Sequence, residues 1–290
     1  MKSNEANTRA LVLGGGGVAG IAWELGILLG LYETGVDVRD ADLMIGTSAG
    51  SVVGAQIASG TGLESLFAAQ LTPVEQSKER MATFDPAQMM EAYRQAIGGA
   101  FSDIKALRAR IGAYALAAQT ITEAERRVII EARLPVHSWS QKRLLIIAVD
   151  TEHGEEYLID RESGVALVDA VAASCAVPGI WPPATIAGRR YMDGGIRSAT
   201  SADLASGFQR ILILNPLGAS ADLFGTGPAK EADALQRAGS QVLVIEPDQA
   251  SVAAIGQNPL DPATRAPSAL TGRALGRELA SSVAKLWSLT

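Results

Sequence analysis

Leu43-Met44-Ile45-Gly46-Thr47-Ser48-Ala49-Gly50 is an apolar strand that runs straight into a glycine-flanked serine. Beyond it Val52, Val53, Gln56 and Ile57 recur at helical spacing, and Gly60 offers a stop. A G-x-S-x-G segment between a strand and a helix makes a tight turn, and only small residues fit two positions on either side of the serine. Such a turn holds the serine Oγ out at the end of the sheet and aims the N-terminus of the new helix at it. Gly46 and Gly50 are those small residues here, and Gly54 lets the helix pack closely. Ser48 is therefore the candidate nucleophile. Glycine and serine also populate ordinary turns, so the assignment needs partners elsewhere in the chain.

On the N-terminal side, residues 9–13 form a short apolar strand that enters Gly14-Gly15-Gly16-Gly17. Ile21, Leu25, Leu28 and Tyr32 then recur at helical spacing up to Gly35. Gly15-Gly16-Gly17-Val18-Ala19-Gly20 matches G-x-G-x-x-G, which fits either a dinucleotide site or an oxyanion hole. Both use unhindered backbone N–H groups at the positive end of a helix. A dinucleotide site wants an acidic residue at the end of the next strand, whereas here that strand delivers the serine. Asp37, Asp40 and Asp42 all precede it. The oxyanion hole, with Gly15, Gly16 and Gly17 as donors, is the favoured reading.

On the C-terminal side, residues 61–135 are rich in Ala, Glu, Gln, Arg and Leu, which favour helix. They predict a helical insertion or cap. Apolar runs at 144–149, 157–159, 211–214 and 242–245 predict further strands. Several are continuous, as in strands buried on both faces of a largely parallel sheet. Strands interleaved with helices imply a layered α/β fold. After residue 248 a loop and then a helix are expected.

A serine nucleophile needs a base. The two histidines, His137 and His153, both fall in polar loop sequence, which disfavours a Ser–His–Asp triad. Tyr191-Met192-Asp193-Gly194-Gly195 is the better candidate, because a strand ends there and the glycines permit a turn that presents the carboxylate. Burial beside Ser48 would raise the Asp193 pKa and make it a more effective base. Cys175, the single cysteine, reads as a small packing residue and rules out an internal disulfide.

Composition sets the outer limits. The 290 residues are 48% hydrophobic and 19% charged, the balance of a well-buried globular protein. A formal charge of −6 argues against nucleic acid as a partner and against electrostatic docking on anionic membranes. Any contact with a lipid surface is then apolar or transient. The polar start, the lone cysteine and the lack of a long apolar run lead to the expectation of a soluble, cytoplasmic protein.

Three motifs in order, Gly15 to Gly20, Gly46 to Gly50 and Asp193-Gly194-Gly195, resemble those of the patatin-like phospholipase family. Ala173-Ser174-Cys175-Ala176-Val177-Pro178-Gly179 with Trp181-Pro182-Pro183 adds to the likeness, as does the strand-turn at 150–155. The resemblance covers roughly residues 9–215. It implies a single acyl hydrolase domain over 1–290, built as a three-layer α/β/α fold with a mostly parallel central sheet and the helical insertion at about 61–135. It further implies a Ser48–Asp193 dyad, an oxyanion hole in the glycine loop, lipid or acyl-ester substrates, and no metal or cofactor. Many relatives carry Arg or Lys where this chain has Ala19, so a head-group contact from that position is not expected. Two other classes remain: a non-catalytic lipid-binding or regulatory protein and, more remotely, a dinucleotide-binding redox protein.

Overall fold

The computed structural model describes residues 8–82, 86–98, 103–218 and 227–288; the polar opening segment, residues 1–7, lies outside them. Eight strands form one sheet: β1 (Arg9–Leu13), β2 (Leu43–Thr47), β3 (Leu144–Asp150), β4 (Glu156–Ile159), β5 (Ala184–Ile186), β6 (Arg189–Asp193), β7 (Arg210–Leu214) and β8 (Gln241–Ile245). Their order is β5-β6-β3-β2-β1-β7-β8, with β4 also on β3. Around them lie α1 (Gly17–Glu33), α2 (Ala49–Ala58), α3 (Leu63–Gln70), α4 (Pro86–Ile97), α5 (Ile104–Ala117), α6 (Glu123–Arg133), α7 (Leu167–Ser174), α8 (Pro228–Arg237), α9 (Gln249–Ile255) and α10 (Arg265–Trp287).

The sheet is mixed. From β3 across β2, β1 and β7 to β8 every pairing is parallel, as the continuous apolar runs predict. At the other end β4 and β6 pair antiparallel with β3, and β5 antiparallel with β6. Short links explain two of these pairings, β3 with β4 and β5 with β6, because a hairpin can join only antiparallel neighbours. The β5–β6 link is Ala187-Gly188, both at positive φ (50° and 79°), the backbone of a tight hairpin turn.

Side chains along β1 alternate between the two faces of the sheet. Leu11 and Leu13 join the core under α1, α2, α7 and α10, while Ala10 and Val12 face the opposite core with Ala232 and Leu235 of α8. Helices therefore cover both faces. A third cluster, Tyr93 of α4 and Ile111 of α5 with Val149, Met192 and Ile196, covers the antiparallel end. The tail after residue 248 holds two helices, and the second, α10, lies along α1 at very close range. A Cβ on Gly26 or Gly30 would strike the α10 backbone, and one on Gly272 or Gly276 would strike that of α1. Among the described residues no helix is long and apolar enough to cross a membrane.

One feature of the register positions the site. Ile147 pairs with Thr47 on one side and Leu158 on the other, and Ala148 pairs with Tyr157 and Asp193. With β4 occupying one edge of β3, β2 and β6 must share the other. They run towards each other along it, so the C-terminal ends of β2 and β6 meet head to head at Ile147 and Ala148.

Candidate active site

Ser48 sits where β2 ends and α2 begins, with φ 52° and ψ −113°. This is the left-handed side of backbone space, which a residue bearing a Cβ adopts only when its surroundings enforce it. The enforcing contacts are specific. The Ser48 N–H donates to Ser174 Oγ at 2.9 Å. Its carbonyl accepts from Ser51 Oγ at 2.6 Å and from the Cys175 thiol at 3.3 Å. Gly50 crosses so near β1 that a side chain there would collide with the Leu13 carbonyl. Gly46 is likewise closed in by the Gly50 carbonyl, and Gly20 faces Ala49.

Asp193 closes β6, and the head-to-head junction brings it to Ser48 across 145 residues of chain. The Ser48 hydroxyl donates to Asp193 Oδ2 at 2.8 Å, while the Gly195 N–H donates to Oδ1 at 2.7 Å. The Asp193 N–H donates to the Ala176 carbonyl at 3.0 Å, which ties the carboxylate to the segment carrying Ser174 and Cys175. A side chain on Gly194 would collide with the Ile147 carbonyl. Burial pushes the Asp193 carboxyl up to about 6, against the opposing pull of the Gly195 and Ser48 hydrogen bonds and the Arg126 cation.

The glycine loop runs beside this pair; a Cβ on Gly15 would lie 3.7 Å from that of Ser48. Its donors are not equivalent. The Gly14 N–H is spent on the Leu214 carbonyl at 3.0 Å and the Gly15 N–H on the Ala199 carbonyl at 2.8 Å. Glu231 holds the loop that carries Ala199, accepting from Thr200 Oγ1 at 2.7 Å and the Ala202 N–H at 2.9 Å. Gly16 and Gly17 head α1, where the helix itself cannot satisfy the first N–H groups. The Ala19 N–H donates to the Pro259 carbonyl at 3.0 Å.

The sequence model of the patatin-like phospholipase family matches residues 11–206, more than half of the 290. The chain belongs to the patatin-like phospholipase family. Among curated protein sequences none matches. Several solved structures are similar, and two of them share 14% and 16% identity with this chain. VipD from Legionella pneumophila is 14% identical with a TM-score of 0.45, the match covering 96% of this chain and 67% of that one. The type III effector protein ExoU is 16% identical with a TM-score of 0.44, covering 96% and 53%. The chain thus spans about half the length of ExoU.

In this patatin-like chain Ser48 opens onto a chamber of about 20 Å³, room for one water, walled by Gly17, Val18, Arg126, Cys175, Trp181 and Leu260 among others. Val18, Ile21 and Arg133 also line a neighbouring cavity of about 420 Å³. Neither histidine lines the chamber: His137 contacts the Glu131 carbonyl, and His153 contacts Asp150 Oδ1 at 3.1 Å. Cys175 is buried and its thiol is pushed up by burial, as a packing residue should be. Three contributors escaped the sequence reading: Ser174 as the acceptor for the Ser48 N–H, Leu260 as part of the wall, and Arg126. Ser174 was legible only as part of a family motif. Arg126 stands beside Arg127 in a Glu-rich helix, a pattern that reads as solvent-facing.

Proposed function

We propose that this chain is a serine acyl hydrolase that cleaves carboxylic esters of lipids, with Ser48 as nucleophile and Asp193 as general base. The observation that carries the reading is the 2.8 Å hydrogen bond from the Ser48 hydroxyl to Asp193 Oδ2, a nucleophile already within proton-transfer distance of its base. Ser48 Oγ attacks the ester carbonyl while its proton passes to Oδ2. The tetrahedral oxyanion takes hydrogen bonds from the N–H groups of Gly16 and Gly17, reinforced by the dipole of α1. Gly15, whose N–H already serves Ala199, shapes the loop instead of donating. Collapse expels the alcohol, which leaves with the proton from Asp193. Water then gives up a proton to Asp193 and attacks the acyl-Ser48 ester; collapse breaks the bond to Ser48 Oγ, which takes that proton back from Asp193, and the acid departs.

The helices of residues 61–135 act as the cap over this site. Leu66, Ala69 and Gln70 of α3 and Ala132 and Arg133 of α6 wall the larger cavity, and Arg126 walls the chamber. A chamber of about 20 Å³ does not hold an ester, so substrate entry requires it to widen.

Ser48→Ala should lower p-nitrophenyl ester turnover by on the order of 10⁴-fold or more and abolish labelling by a fluorophosphonate probe. A lipid profile of the purified protein against this variant then names the substrate. Undiminished turnover in Ser48→Ala rejects the assignment, and fatty-acid binding without any labelling of the wild type favours the non-catalytic reading.

A further inference from the structure

Arg126 is 4% exposed, yet its Nε and Nη1 have no hydrogen-bond partner. A guanidinium carries five N–H donors and stays charged near neutrality, and leaving such donors buried and unpaired is costly. Nearby groups do not account for it. Trp181 offers only the face of its ring, 4.0 Å from the guanidinium carbon. Asp193 attracts it through space, but both Asp193 oxygens are already occupied by Ser48 and Gly195. Burial lowers the Arg126 pKa to about 9, which still leaves the cation intact at pH 7.

The surroundings repeat the same bias. The chamber and the adjoining cavity are lined by Lys78, Arg80, Arg126, Arg133 and Arg265, within a chain of formal charge −6. Among the lining residues the acid is Glu79, and its two oxygens hold Arg133 at 2.8 and 2.7 Å. Arg265 also has a buried Nη1 without a partner. The larger cavity mixes apolar walls, Val18, Ile21 and Leu66, with polar ones, Gln56, Gln70 and Thr72, so a polar group on the substrate finds partners there beside apolar surface.

We infer that Arg126 is a specificity-determining residue that receives an oxyanion, phosphate or carboxylate, carried on the alcohol side of the scissile ester. A planar fork of donors matches such a group in bidentate fashion, and the cationic cavity beside it draws the group in. The inference rests on the hydrolase reading, because it presumes that Ser48 attacks an ester lodged in the same chamber.

The test compares two soluble substrates with one acyl chain, an ortho-nitrophenyl butanoate and its ring-carboxylated analogue. Wild-type kcat/KM should favour the carboxylated ester by about tenfold or more, the scale of one charge-assisted hydrogen bond. Arg126→Gln should collapse that ratio and Arg126→Lys should keep much of it. An arginine with a purely structural role would lower both rates together, and an unchanged ratio in a folded Arg126→Gln overturns the inference. If that variant does not fold, the wild type decides alone. Glycerol phosphate should slow fluorophosphonate labelling of Ser48, and no slowing overturns the inference. Protection by glycerol phosphate but not by inorganic phosphate marks a head-group site; equal protection marks a general phosphate site, and both support Arg126. Absence of turnover of either ester together with absence of labelling would instead remove the hydrolase reading on which the inference stands.

Discussion

The two walls of the Ser48 chamber are built on opposite principles. On the sheet side each polar atom of Ser48 has a protein partner: its N–H meets Ser174, its carbonyl meets Ser51 and Cys175, and its hydroxyl meets Asp193. On the helical side Arg126 lies buried with two nitrogens unpaired. A wall whose groups satisfy one another is set before substrate arrives, and its geometry costs no rearrangement at the moment of reaction. A wall with open donors is completed by what binds. Under the proposed function, the difference separates chemistry from recognition within one small space.

This contrast can be broken at several points. Asp193→Asn removes the proposed base from the finished wall, so ester turnover should fall by on the order of 10²–10⁴-fold while circular dichroism stays native. Ser174→Ala leaves the strained Ser48 N–H without an acceptor. A loss of about 1–2 kcal/mol at the elbow should cut kcat roughly tenfold, read in the same assay; an unchanged kcat would mean that Ser48 holds its conformation without this support.

The pH profile sharpens the picture of Asp193. Only its ionised form accepts a proton, so kcat/KM should decline as pH falls through about 6. Stability runs the other way. The folded pKa stands above the ordinary value of 3.8, so the protonated acid favours the fold. That contribution is complete below 3.8 and is lost as pH rises through about 6. Asp193→Asn, always neutral, should therefore raise Tm at about pH 7 by the equivalent of up to ~3 kcal/mol, with little change at about pH 4. Thermal melts of both proteins at the two pH values check it. The smallest effect belongs to the helical wall. Thr122 and Glu125 form a reciprocal cap at the head of α6. Thr122→Ala should cost about 1 kcal/mol in denaturant unfolding and leave the Asp193-dependent acid limb in place.

Sequence legibility follows the same division. Strands β1, β2, β7 and β8 were readable because unbroken apolar runs mark them. The serine elbow, the glycine loop and Asp193 were readable because tight backbone approach admits only glycine at fixed spacings. β5 has three residues and no apolar run, and its partner is chosen by a hairpin. The antiparallel pairing of β6 with β3 stayed hidden because periodicity says nothing about which distant strands pair. The match of Gly26 and Gly30 with Gly272 and Gly276 needed a spatial partner to acquire meaning. Arg126 was the hardest. Its charge promised solvent, and only the packing of α6 against α7 and Trp181 put it inside.

The abutting ends of β2 and β6 make β3 a ruler for the proposed catalytic pair. The proposed nucleophile and base are gauged by adjacent rungs of one ladder, Ile147 and Ala148, whatever the length of chain that separates them. Loops and helices between the two can lengthen or shrink without altering the gap. Displacing β6 by a single rung, however, would carry the carboxylate about 3.4 Å along the strand and turn it to the far side of the sheet. The tolerance of this machinery to change is thus wide in its connections and nearly zero in one five-residue strand.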